Sequence, residues 1–194
     1  MPDYQEARQA LQQLADKDKF EKMMLTAAII TEQLEHHGIK PIIVGGLSVE
    51  IYTMNGYTTY DIDLVLNGYE TASQVLEQLD FRKIGKDWVH PVLGVSLEIP
   101  GHTLTGDYGK VTEVPVGDRR VYVIGIEDII LDRLRSAVHW QSGVDREWGY
   151  RMLLMYYEEI DINYIRSQLQ GMKEEQEWEQ WLSEAAIDKD GIGS

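Results

Sequence analysis

The hydrophobic pattern predicts an α/β (α+β) fold, a mixed β-sheet flanked by helices with a further helical part at the C-terminal end. Three observations carry this. Short apolar runs rich in β-branched residues alternate with helical periodicity in the first half of the chain. Strand-like pairs follow in the middle, and from about residue 126 only helical periodicity remains. The 194 residues suffice for one domain with a real core. They divide into a sheet-bearing core with N-terminal helices over 1–125 and a helical region over 126–194 packed on it, or form one single domain.

Each element has a local reason. From about Tyr4 to His36, Leu11, Leu14, Phe20, Met23, Met24, Ala27, Ile30 and Leu34 recur at helical spacings. They predict one helix broken near "ADKDK", or two in succession, stopped by Gly38. "KPIIVGG" is a short buried strand, Leu47 to Met54 a short helix, and "NGY" a turn. "YDIDLVL" alternates and is a second strand, and "NGYETASQVLEQLDF" gives a turn and a helix. "DWVHPV" and "GVSLEIPG" predict a hairpin around Leu93 and Gly94, and "KVTEVPV" and "RRVYVIG" another, turned by "VGDR". Three helical segments close the chain: "IEDIILDRLRSAVHWQ", "DREWGYRMLLMYYEE" and "INYIRSQLQGMKEEQEWEQWLSEAA".

Composition narrows the function classes. A net charge of −15 argues against extended nonspecific binding to nucleic acid, although a metal ion can still bridge carboxylates to a small anion. The absence of cysteine excludes disulfides, thiolate metal sites and a cysteine nucleophile. No apolar run is long enough for a membrane span, and the polar, acidic start is neither a signal nor a transit peptide. A cytoplasmic location is expected.

The chemistry concentrates in "VGGLSVEIYTMNGYTTYDIDLVL". Strand side chains alternate, so Asp61 and Asp63 share a face, with Cα atoms about 6–7 Å apart, while Ile62 and Leu64 face the core. Two ionised carboxylates on one face repel, and a divalent cation removes that cost. Hard oxygen ligands with room for water suit Mg2+. Glu98, in the apolar strand "VSLEIPG", is the candidate third carboxylate for a two-metal site. Gly45 and Gly46 end a strand and open a helix, where backbone N–H groups meet phosphate, and Ser48 offers a hydroxyl nearby.

Gly45-Gly46, a helix-length gap and Asp61-Ile62-Asp63 resemble the signature of the DNA polymerase beta-like nucleotidyltransferase superfamily. The resemblance extends through "YTTYDIDLVL", with Thr59 just ahead of the first aspartate. "IGIEDIILDRLRSAVHWQSGVDREWGYRML" is similar to the helical segment of small prokaryotic nucleotidyltransferase-like proteins, some related to type IV abortive-infection toxins. Together these regions span Ile42 to Met155.

The resemblance implies a nucleotidyltransferase-like sheet and transfer of a nucleoside monophosphate from a nucleoside triphosphate, ATP among them, with two Mg2+ ions. Asp61, Asp63 and Glu98 would be the metal-binding and catalytic carboxylates, Glu98 also the base for the acceptor hydroxyl. Gly45, Gly46, Ser48, Thr59 and Arg133 would bind nucleotide. The acceptor is a tRNA end, a protein or a small molecule. Two departures stand out: Arg133 and Arg135 occupy a region where many such toxins carry lysine, and Gly46 a position that is often serine. An inactive relative acting as a binding or regulatory protein of toxin–antitoxin type is the alternative, and an acidic interaction protein is a third.

Elsewhere Asp145 is a candidate to orient Arg133. The five histidines show no ligand spacing. The late aromatics, Trp140 to Trp181, are read as packing between C-terminal helices or as a homodimer surface.

Overall fold

The computed structural model describes residues 4–192. Helices α1 (Tyr4–Gln12) and α2 (Lys19–Glu35) come first. They are separated at "ADKDK", where the Asp18 carboxylate caps α2 by accepting from Glu21 N at 3.0 Å. Then follow β1 (Ile42–Val44), α3 (Gly45–Tyr52), β2 (Asp61–Val65), α4 (Tyr69–Gln78), β3 (Arg82–Ile84), β4 (Asp87–His90) and β5 (Val95–Gly101). A single 3-10 turn at Tyr108–Lys110 precedes β6 (Thr112–Val116) and β7 (Arg119–Val123). Helices α5 (Ile126–His139), α6 (Gly143–Met155), α7 (Ile162–Gln168) and α8 (Met172–Ile192) complete the chain.

The strands form one mixed sheet in the order β3-β4-β5-β2-β1-β7-β6. The β2–β5 and β1–β7 pairs are parallel and the rest antiparallel. Both expected hairpins are present, as β4–β5 and β6–β7. β3 and β6 are the two edges.

Three elements differ from the sequence pattern. β3 is a strand that the pattern does not announce, because Arg82, Lys83 and Ile84 are all exposed and show no alternation. Helix α3 begins at Gly45 itself, not at Leu47, so the glycines are its first turn. The last expected helix is two, broken before Met172 by Gly171, whose φ of 80° a right-handed helix does not accept.

The core is continuous from Leu11 on α1, through Ile43, Ile62 and Leu97 on the central strands, to Trp178 and Trp181 on α8. Of the late aromatics, these two tryptophans are fully buried, whereas Trp140 is 82% exposed at the end of α5. Removing a buried tryptophan costs about 3–5 kcal/mol, so α8 is strongly held. No helix among the described residues is long and apolar enough to cross a membrane.

Candidate active site

The central strands set the geometry. Val44, at the end of β1, pairs with Asp63, and on the other side Asp63 pairs with Glu98 in the parallel β2–β5 register. Paired residues on neighbouring strands project to the same side, with strands about 4.8 Å apart. Asp61, two residues back, shares that face. Thus β2 and β5 carry Asp61, Asp63 and Glu98 side by side, where the helix α3 begins.

The glycines are there because nothing larger fits. Gly45 has a φ of 63°, and a Cβ on it would stand 2.2 Å from Asp63 Oδ2. A Cβ on Gly46 would stand 2.5 Å from Thr59 Oγ1. Backbone and carboxylate are therefore in direct contact, and Thr59 lies against the same turn. Ser48 stands apart from this group: it is fully buried and its hydroxyl donates to the Gly45 carbonyl at 2.7 Å. It secures the turn from within, one helical turn beyond the glycines.

Charge is unbalanced on the sheet face. Burial, and then the carboxylates of Glu98 and Asp61, push the Asp63 carboxyl up to about 6 from its ordinary value of 3.8. Lys86 and Arg133 pull the other way. Lys86 Nζ lies 2.7 Å from Glu98 Oε2. Arg133, 14% exposed, is held by Asp145 Oδ1 at 2.7 Å and by Asp132 Oδ2 at 2.6 Å. The guanidinium thus has two carboxylate partners already, and Asp145 orients it as the sequence suggests.

A cleft of about 420 Å³ lies between the sheet, at Gly45, Asp63 and Val65, and α5, at Ile129, Asp132 and Arg133. The segment Pro100–Thr105 closes one side, and Arg135 reaches the cleft from α5. A larger hollow of about 480 Å³ lies elsewhere, around Glu32, Glu113, Arg119 and Arg120. Its charges neutralise one another in ion pairs.

Two residues outside the sequence reading fix the approach to Asp61. The buried Glu50 carboxylate accepts from Thr59 N at 3.1 Å, and Lys19 Nζ donates to the Thr59 carbonyl. Lys19 also sits 4.6 Å from the Tyr60 ring centre. Their partners are backbone atoms, so no sequence spacing reveals them. Tyr57 packs edge-on against Trp148 at 5.4 Å beside Gly46.

Among the described residues no group of three or more histidine, aspartate or glutamate side chains is gathered into a ready cation cage. The donor chemistry nonetheless suits a divalent ion: hard carboxylate oxygens on one face, with burial and mutual repulsion that lift Asp63, and a glycine turn that admits its carboxylate at close range. One of the Glu98 oxygens is engaged by Lys86 instead.

Residues 23–98 match the model of a family described as a nucleotidyl transferase of unknown function, the match ending at Glu98. No curated protein matches the chain in sequence. Among solved structures, an antigenic nucleotidyltransferase-like protein from Paracoccidioides brasiliensis is similar with a TM-score of 0.59 and 16% identity, over 91% of this chain and 91% of that one. ANT(2'')-Ia in complex with adenylyl-2''-tobramycin is similar with a TM-score of 0.50 and 15% identity, over 80% of this chain and 94% of that one. On the matched segment, the strand register and these likenesses, the chain carries the fold of the nucleotidyltransferase superfamily.

Proposed function

We propose that the protein is a Mg2+-dependent nucleotidyltransferase that moves a nucleoside monophosphate from a nucleoside triphosphate to a hydroxyl acceptor. The observation that supports this best is the contact of Asp63 with the Gly45 turn, on a face shared with Asp61 and Glu98. Asp61, Asp63 and Glu98 would hold the ions, which supply charge stabilisation at the transferring phosphoryl group when bound. The N–H groups that open α3 at Gly45 and Gly46 bind phosphate, and Thr59 supports that turn. Arg133, oriented by Asp145, neutralises charge on the phosphates.

The acceptor oxygen forms a bond to the α-phosphorus while the α–β bridge bond breaks and pyrophosphate leaves with its electron pair. Glu98 takes the proton of the acceptor hydroxyl. Preorganised charge and positioning carry most of the rate. A cleft of about 420 Å³ suits a small-molecule acceptor, in keeping with the adenylyl-2''-tobramycin bound to the structurally similar ANT(2'')-Ia, and the net charge of −15 disfavours a tRNA end.

One observation favours a second reading. Glu98 and Arg133 are both paired within the protein, which would suit a protein that binds nucleotide without turnover and regulates a partner. The test is thermal stabilisation by each triphosphate, with and without Mg2+, on the wild type and Asp63→Ala, with product analysis. Mg2+-dependent stabilisation that Asp63→Ala abolishes, together with pyrophosphate release, supports the enzyme. Stabilisation indifferent to Mg2+ and to Asp63→Ala rejects it. Binding without pyrophosphate release, over a panel of acceptors, favours the regulatory reading.

A further inference from the structure

Lys86 forms the tip of the β3–β4 hairpin, next to Gly85, whose φ of 64° makes the turn. Asp87 pairs with Glu98 in the β4–β5 register, which delivers the tip beside the residue that faces Asp63. The Lys86 side chain is 73% exposed, yet its ammonium lies 2.7 Å from Glu98 Oε2, and Glu98 is 24% exposed. Among the described residues Glu98 is its one salt-bridge partner. Its charge also reaches Asp63.

Such a pair is suited to exchange. Three carboxylates on one face repel, and a tethered ammonium eases that repulsion. An exposed pair contributes little and is screened by salt, so it yields easily. A divalent ion binds carboxylate oxygens directly and carries twice the charge. The lysine stem is flexible, and its head is stable in water once released.

We propose that Lys86 is the resident counter-ion of the acidic strands: it holds Glu98 until a divalent cation displaces it, so cation entry and release of the hairpin tip are one event. This rests on the metal-dependent reading above, and the measurements separate the two. Mn2+ binding is followed by the spin resonance of the free ion, without nucleotide and at low salt, on the wild type, Lys86→Ala, Lys86→Arg and Asp63→Asn.

The expected result is that Lys86→Ala binds Mn2+ about threefold more tightly than the wild type. Lys86→Arg should match the wild type, and the advantage of Lys86→Ala should shrink as salt rises. Affinity of Lys86→Ala equal to or below that of the wild type, in variants whose melting temperatures are unchanged, overturns the counter-ion role. Wild-type affinity in Asp63→Asn, or no Mn2+ binding by either the wild type or Lys86→Ala, instead overturns the metal-site reading beneath it.

Discussion

Replacing Asp63 with asparagine should make the fold more stable, and the reason is electrostatic. Burial and the neighbouring Glu98 and Asp61 carboxylates raise the Asp63 carboxyl to about 6, against 3.8 for an ordinary aspartate. Below pH 3.8 the group is protonated folded or unfolded and costs nothing. Between 3.8 and 6 the unfolded chain ionises first and the folded state loses ground, and above 6 the full penalty is present. That gap amounts to about 3 kcal/mol, which partial contact with water trims to about 1–2 kcal/mol.

Asp63→Asn removes the charge and keeps the shape. At pH 8, without divalent cations, it should therefore melt about 3–6 °C above the wild type for a chain of this size. The gap should close as the pH falls from 6 to 4. Added Mg2+ with nucleotide should favour the wild type, which alone keeps the full ligand set. Thermal unfolding followed by circular dichroism at pH 8, 6 and 4.5 is the assay. A variant no more stable than the wild type at pH 8, or a gap that widens on acidification, refutes the reasoning.

Two further outcomes follow from the same geometry. Gly45→Ala meets a φ of 63° and a carboxylate oxygen 2.2 Å from its new methyl, so it should cost about 2 kcal/mol and drive the Asp63 carboxylate from its place. Denaturant unfolding should register the loss, and stabilisation by Mg2+ with a triphosphate should vanish; a variant unchanged in both counts against the contact. Asp145→Asn cuts the 2.7 Å charge-assisted bond to Arg133 but leaves Asp132 in place. Steady-state kinetics should then return a KM for the triphosphate raised about fivefold, with kcat much less affected.

The central motif was legible because it obeys simple periods. Asp61 and Asp63 alternate with Ile62 and Leu64, and that pattern alone put the carboxylates on one face. The paired glycines before a helical stretch were equally readable, since close backbone approach leaves few alternatives. The place of the Ser48 hydroxyl follows from the helix start: with α3 beginning at Gly45, it falls back onto the Gly45 carbonyl. β3 owes its extended form to pairing with β4, which three exposed residues cannot signal. Glu50 and Lys19 grip the backbone of Thr59 from 9 and 40 residues away, a relation that only folding creates. The partnership of Arg133 with Asp145 spans the turn between α5 and α6, so the pair could be suggested from the sequence, whereas its 2.7 Å contact is a product of how the two helices pack.

The rims of the sheet bear on how copies of this molecule meet. One border strand presents Arg82 and Lys83 to water, and the other carries Pro115, which lacks the hydrogen needed to recruit a further strand. Growth by lateral extension is discouraged at both borders. Pairing of copies through these edges is therefore disfavoured, which keeps the acidic strands at the centre of a sheet that ends within one molecule.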